Sequence, residues 1–331
     1  ESYSQALAMA REAGNVDEQL NDLNGLGLLH GGLADFQAAD DYYREAFRLN
    51  HETLRQDSPM LLNNHAHILV EAGRIGEARQ EATHSLALAR AGHQVESEAD
   101  ALAELAQVDR IGGDPRHAVE LDRQALAVAK QSGKKVAIVE VGFDLALALE
   151  DTGSAAAARE TLRTADSLRG SDEGFASVLT SALLSFNAGN YAETERMARA
   201  AIEDARKDGS PHYELRAETL LARALLAEGH NEEARAAARQ AVTIPQTPDI
   251  SLSRIEARFA DAAACGGELD GLAGMAERSG YVQLALEIRL AAAAQAVRHG
   301  RSGARRLLHD VMREAASKGY TALAARAQSV N

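Results

Sequence analysis

Small side chains return along this chain with a long and nearly constant period. An apolar stretch runs into a glycine-centred turn, an alanine stands five residues past the glycine, and a second apolar stretch with helical spacing follows. Gly73 leads to Ala78, Ala82 and Leu86, Gly113 to Ala118, Ala125 and Leu126, Gly153 to Ala158, Leu162 and Ala165, and Gly229 to Ala234, Ala238 and Ala241. Two stretches vary the phrase: Leu26-Gly27 leads through Phe36 to Ala39, Tyr43 and Ala46, and Gly189 with Tyr191 leads to Thr194, Ala198 and Ala201. The small residue therefore falls at 39, 78, 118, 158, 194 and 234, at intervals of 39, 40, 40, 36 and 40. After Ala241 the phrase weakens, and Gly267 with Leu272 and Gly300 with Arg305 read as two further, degenerate units.

This spacing predicts helical hairpins. Where two antiparallel helices cross most closely, only a small side chain lets the backbones approach, with leucine or an aromatic filling the flanks. The glycine ends the first helix by taking a left-handed conformation that a residue with a Cβ adopts at a cost. One hairpin cannot bury both of its apolar faces, so each must stack on the next. The expected fold is all-α: a right-handed superhelical solenoid of about eight units, filling residues 1–331 as a single domain, clear over 1–244 and degenerate over 249–331. Alanine runs such as Ala155-Ala156-Ala157-Ala158 favour helix as well. Ser58-Pro59, Asp114-Pro115 and Ser210-Pro211 each place a capping side chain before a proline, which predicts three helix starts. Pro245 and Pro248 predict a linker.

Leu-Gly in the first helix, then Phe36, Ala39, Tyr43 and Ala46, resembles the tetratricopeptide repeat, and the likeness extends over nearly the whole chain. The family's usual tryptophan and helix-ending proline are missing, and the period exceeds its usual 34 residues. The longer unit, with Ala8-Met9-Ala10-Arg11-Glu12-Ala13-Gly14 and Ala87-Leu88-Ala89-Arg90-Ala91-Gly92 leading into the next helix, resembles kinesin-light-chain-like repeats. Similar arrays are appended to bacterial serine/threonine kinases and ATPase-type transcriptional regulators. The resemblance implies a non-catalytic region that binds a protein or peptide in the concave groove. The alternative it implies is an effector-gated module controlling an attached kinase or regulator domain. Tyr3, Ala6 and Leu7 match Tyr43, Ala46 and Phe47, so the chain reads as starting inside a unit of a longer protein with an upstream effector domain.

Charge excludes some partners. Lys+Arg total 35 against 49 Asp+Glu, a net charge of −14, which disfavours generic nucleic-acid binding. The negative charge is uneven: residues 281–331 hold eight basic and three acidic side chains, so Arg298, Arg301, Arg305, Arg306 and Arg313 belong to a basic tail. No apolar run reaches the length of a membrane span. The single cysteine, Cys265, permits no internal disulfide and suits the cytoplasm; its expected role is a small buried thiol.

Candidate chemistry is sparse. Gly25-Leu26-Gly27 begins like a dinucleotide fingerprint, but His30 stands in its sixth position and no strand precedes it, so no cofactor is expected. His67 and Glu71 share a helix face, yet two ligands are too few for a metal. Pairs such as Asp40-Asp41 and Glu232-Glu233 read as polar helix positions rather than catalytic acids, and no catalytic site is expected. The binding candidates are the inward positions of the first helices: Asn24, Asn63, Asn64, His67, Gln107, Arg110, Arg216, Thr219 and Arg223. An asparagine amide can both donate to and accept from an extended backbone, and arginine can take a carboxylate in bidentate fashion. Leu61-Leu62-Asn63-Asn64 resembles the asparagine-bearing first helix of peptide-binding family members.

Overall fold

A computed structural model describes residues 2–55, 57–168, 175–245 and 250–330. Helix α1 (Ser2–Ala13) precedes six hairpins: α2 (Val16–Gly32) with α3 (Phe36–Leu54), α4 (Pro59–Glu71) with α5 (Ile75–Ala91), α6 (Val95–Gly112) with α7 (Pro115–Ser132), α8 (Lys135–Asp151) with α9 (Ala155–Leu168), α10 (Phe175–Asn187) with α11 (Tyr191–Asp208), and α12 (Pro211–Glu228) with α13 (Asn231–Thr243). Five more helices follow: α14 (Leu252–Cys265), α15 (Asp270–Arg278), α16 (Val282–Arg298), α17 (Ala304–Ser317) and α18 (Thr321–Ser329). The fold is the all-α repeat solenoid that the periodicity predicts.

The recurring small residue sits at each hairpin crossing. Ala39, Ala78, Ala118, Thr194 and Ala234 are wholly inaccessible and Ala158 is 1% exposed. Thr194 fits because its hydroxyl donates back to the Asn190 carbonyl at 3.0 Å. The turns also follow the expected chemistry. Gly73 has φ +79° and Gly153 +80°, and Arg74 N donates to the Leu69 carbonyl at 2.8 Å, closing the helix end. The first hairpin departs from the pattern: Ala34 takes the left-handed position at φ 59°, and Gly27 lies within α2. A Cβ on Gly27 would meet the Tyr43 ring at 2.5 Å, so this glycine admits the aromatic rather than turning the chain.

Three helices start at Pro59, Pro115 and Pro211 as expected. Ser58 and Asp114 accept from the amides of Leu61 and His117. Ser210 does not cap; its hydroxyl donates to Asp208 at 2.6 Å, because that carboxylate lies nearer than the helix amides. Helix α13 ends ahead of Pro245, while Pro248 lies outside the described residues.

After five units the superhelix meets itself. Helix α12 packs on α2, α14 on α4, α16 on α6 and α18 on α8, always ten helices on. The Tyr281 hydroxyl lies 2.9 Å from the carbonyls of Val70 and Glu71 at the end of α4. The Tyr320 hydroxyl donates at 2.6 Å to the Arg110 carbonyl in the last turn of α6. Apolar packing continues across the same seam, since one core cluster holds Leu69, Val70 and Ile75 together with Ile255, Tyr281 and Ile288.

That closure fixes the C-terminal register. The left-handed glycine with a buried alanine five residues on recurs at Gly280 with Ala285 and at Gly319 with Ala324. Gly267 and Gly300, favoured by the sequence pattern, do not carry it: Gly266 rather than Gly267 is left-handed, and Arg305 is exposed.

Candidate binding groove

Each first helix turns one stripe of side chains toward the inside of the superhelix. Residues three or four apart share a helical face, so Asn63, His67 and Glu71 align on α4, Gln107 and Arg110 on α6, and His212, Arg216, Thr219 and Arg223 on α12. Gln107, Arg110, Arg216 and Arg223 meet around a small cavity of about 90 Å³, opposed by Glu71 and Glu256. The seam itself is polar here. Arg110 Nη1 lies 3.1 Å from Gln283 Oε1 and 3.4 Å from Asp151 Oδ2, and Gln283 Nε2 donates to Asp151 Oδ1 at 3.0 Å, tying α6, α8 and α16 together.

Burial and neighbouring charge set the protonation of these groups. Burial raises Asp151 to about 7 against the opposing charge of Arg110, with Glu287 adding to the rise. Asp144 rises to about 6 for the same reason, again opposed by Arg110. Desolvation would lower His67, but the neighbouring Glu104 carboxylate, with the charge of Glu71 beside it, carries it up to about 9. Burial pushes His212 down to about 4 despite the nearby Glu71. Burial would raise Glu71, yet the charges of His212, Arg216 and His67 and the Ser253 hydroxyl, 3.2 Å away, hold it below the usual carboxylate range.

The other sequence candidates are disposed differently. Asn64 Nδ2 donates to Asn24 Oδ1 at 2.9 Å, and the Tyr43 hydroxyl approaches the same oxygen at 3.4 Å, so these two asparagines join the first hairpin to the second. Asn63 Oδ1 and Thr219 Oγ1 are buried and lack a partner among the described residues. His67 keeps a half-exposed ring with Nδ1 3.7 Å from Glu104.

Beyond Arg223 the interior widens into a cleft of about 530 Å³ between α10–α12 and the C-terminal helices. Its wall carries Phe186, Tyr191, Phe259, Glu287, Arg298 and Arg326 beside Arg223. The Arg223 guanidinium lies 4.7 Å from the centre of the Phe186 ring and 3.4 Å from Glu287, which fixes one cation against an aromatic face and a carboxylate. Periodicity within single hairpins does not reveal this wall, because α10, α12, α14, α16 and α18 all contribute to it. The phrase Gly-Tyr-x-x-Leu-Ala, at Gly280 and again at Gly319, is the sequence signal that marks the seam.

Two expectations need correction. Cys265 is exposed at the end of α14, with Asp261 3.3 Å from its sulfur, because the last turn projects beyond the packed face. Asp40 is buried rather than solvated: Arg44, Arg74 and His65 surround it. Burial would raise its carboxyl, but the hydrogen bonds from His65 and Arg44 and the charge of Arg74 hold it low. His65 is likewise interior, with a ring nitrogen 2.7 Å from Asp40 and the other 2.7 Å from Glu81. At the surface, Glu195, Glu228 and His230 bring ligand atoms within 4.8 Å of one another, but Glu195 is already paired with Arg199 at 2.8 Å. Among the described residues no helix is long and apolar enough to cross a membrane.

Comparison with known proteins agrees with this architecture. Residues 57–131, from just ahead of α4 to the end of α7, match the family model of the tetratricopeptide repeat. The fold is similar to that of the Rap conjugation gene regulator of the plasmid pLS20 in complex with the Phr* peptide, at 15% identity over 85% of this chain and 78% of that one, with a TM-score of 0.61. It is similar as well to a Rap protein complexed with Competence and Sporulation Factor (16% identity, 98% and 92% covered, TM-score 0.53) and to the apo form of RapI (15%, 88% and 99%, 0.52). No curated protein sequence matches the chain. Residues 57–131 therefore carry tetratricopeptide repeats, and the periodic small residues and stacked hairpins continue the same repeat architecture on either side of them.

Proposed function

We propose that the chain is a non-catalytic binding scaffold that takes a protein or peptide segment into the cleft between α12 and α16. The observation that carries this reading is the wall itself, where Arg223 is held against Phe186 and Glu287 at the mouth of a cavity of about 530 Å³. A concave, partly apolar space with a few fixed polar groups is the form that ligand sites take. Two structures of similar fold contain a bound peptide or factor, which supports the same use here. Gln107, Arg110 and Arg216 extend the site inward. The test is a random peptide library panned on the folded chain. Arg223→Ala and Phe186→Ala should each cut retention of the selected peptides about tenfold, in line with the loss of a desolvated hot spot. Asn64→Ala should leave retention unchanged. Selected peptides that bind equally well to both cleft variants would refute the reading.

A second reading, control of an attached domain by an effector, is favoured by one relationship. A ligand between α12 and α16 touches both passes of the superhelix, so its binding free energy differs between closed and opened forms. A selected peptide that changes the radius of gyration in solution would support gating; one that binds without any change would leave scaffolding alone.

A further inference from the structure

The neighbouring first helices α6 and α8 carry the same acidic pair one unit apart. Asp100 and Glu104 on α6 stand forty residues before Glu140 and Asp144 on α8, and each pair, four residues apart, shares a helical face. Burial raises the phenol of Tyr213 on α12 and the charge of Glu140 adds to the rise, so the array looks across the interior of the superhelix. Its members repel one another. Desolvation raises Asp100 and Glu140, with the charge of Glu96 adding to the first and that of Asp100 to the second. Desolvation likewise raises Asp144 to about 6 against Arg110, and Glu104 and Glu140 add to it. Cations of the chain leave this demand unmet. Glu96 takes Lys134, and Glu104 Oε2 lies 3.7 Å from the half-exposed His67. Among the described residues, Asp100, Glu140 and Asp144 make no hydrogen bond or ion pair. Two more oxygens lie unsatisfied beneath them: Glu104, 8% exposed, buries Oε1 without a partner, and Asp122 on α7, 1% exposed, buries Oδ1 without one. Asp122 stands behind Asp144, whose charge adds to the effect of burial in raising it.

We propose that this array is a binding site for a basic peptide, an extended segment that carries two arginines or lysines two residues apart. Spacing decides against a metal ion. Four residues of helix rise separate the members of a pair by about 6 Å, and packed helices lie about 8–10 Å apart. A hard cation holds its oxygens at about 2.0–2.6 Å, too short a reach to gather such an array. Among the described residues, ligand atoms of three such groups come within 4.8 Å of one another only at Glu195, Glu228 and His230. Side chains two apart in an extended chain point the same way about 7 Å apart, and the long stems of arginine and lysine carry one cation to each acidic pair. Several donors on each cation can then serve both carboxylates of a pair. The net charge of −14 draws a basic segment toward the chain. The four carboxylates lie outside the wall of the cleft between α12 and α16, so this site stands whether or not the cleft takes a ligand.

The probe is fluorescein-labelled Gly-Ala-Arg-Ala-Arg-Ala-Gly, titrated into the 331-residue chain at constant ionic strength and followed by anisotropy. Saturable binding is expected, and the same peptide with glutamine in place of both arginines should not bind. Asp100→Asn with Glu140→Gln, both at exposed positions, should weaken binding about tenfold with an unchanged circular dichroism spectrum, the loss of two partly screened ion pairs. Glu232→Gln with Glu233→Gln removes the same charge from exposed positions of α13 and should weaken binding by less than about twofold. Arg223→Ala should leave the probe's affinity unchanged, whereas peptides selected on the cleft should lose theirs. Equal weakening in the two double variants would mean attraction to net charge alone. Loss of the probe with Arg223→Ala would place it in the cleft. Calcium chloride that binds by itself in calorimetry, with the heat gone in Asp100→Asn with Glu140→Gln, would make the array a metal site. Any of these results, or no saturable binding, overturns the proposal and leaves the cleft reading to its own test.

Discussion

The hydroxyl of Tyr281 rests 2.9 Å from the carbonyl oxygen of Glu71, a residue 210 positions earlier. Thirty-nine residues after Tyr281, Tyr320 makes the matching contact with Arg110, so the second pass of the superhelix is pinned to the first at two equivalent places. Replacing either tyrosine by phenylalanine keeps the ring and removes only the hydroxyl. Each substitution should cost about 1 kcal/mol, the net worth of one hydrogen bond, rising toward about 3 if the abandoned carbonyl stays buried. Urea unfolding measures this. The double variant should in addition show a larger radius of gyration by small-angle scattering.

Ala78 and Ala158 tolerate no added bulk, since both lie at hairpin crossings with almost no accessible surface. Ala78→Leu or Ala158→Leu should overfill the crossing and destabilise by about 1–3 kcal/mol. Differential scanning fluorimetry would show it as a fall in melting temperature. An unmoved transition would misplace the crossing in that hairpin.

His65 holds two carboxylates together between neighbouring hairpins, with Asp40 on α3 and Glu81 on α5 each 2.7 Å from its ring. Removing His65 takes a buried hydrogen-bonding partner from both carboxylates, while Asp40 keeps Arg44 and Arg74. His65→Ala should cost about 1–3 kcal/mol. Chemical denaturation should place its loss well above that of an exposed control such as His84→Ala, a half-exposed histidine near Asp57.

Stability should depend on pH through the interior groups. Asp151, raised to about 7, and Asp144, raised to about 6, keep their protons in the folded chain where the unfolded chain has lost them. The folded state then binds more protons, so stability falls as pH rises from the ordinary carboxylate range through those values. His67, raised to about 9, acts in the same sense: its contribution is complete below its ordinary value near 6.5 and is lost as pH climbs through 9. His212, lowered to about 4, opposes them on the acid side, because the unfolded chain takes up a proton below about 6.5 that the folded chain refuses. Between about pH 4 and pH 6 the two raised carboxyls outweigh the one lowered histidine, so the melting temperature should fall as pH rises from about 4, and Asp151→Asn should flatten the slope between about pH 4 and pH 7. A variant with the same slope as the parent chain would place the titration elsewhere.

Much of the fold is legible in the sequence because its determinants are local. Ala78, Ala118, Ala158 and Ala234 stand five residues past a left-handed glycine, and crossing and turn belong to the same hairpin. Ala34 hides the first turn because a non-glycine residue takes the glycine's conformation there. The closing seam is not local. Tyr281 and Glu71 carry no mark of each other in the chain, and only the repeated Gly-Tyr-x-x-Leu-Ala phrase hints that two turns share a task. The candidate groove divides along the same line. Arg110, Arg216 and Arg223 face the interior as the helical register implies, but Phe186 and Phe259 join Arg223 from the neighbouring helices α10 and α14, and Arg326 lines the cleft from α18. Asn24 and Asn64 find each other instead, since adjacent first helices bring their amides within 2.9 Å.

Closure of the superhelix after five units is what shapes both cavities, and a designed cross-link tests it most directly. A Cβ placed on Gly153 would lie 3.3 Å from Thr321 Cβ, near the separation that a disulfide spans. Gly153→Cys with Thr321→Cys, in a Cys265→Ser background, should form an intramolecular disulfide under mild oxidation, with both thiols lost by titration and recovered on reduction. Two thiols that stay free in the folded, oxidised chain would mean that the fourth hairpin and α18 do not meet.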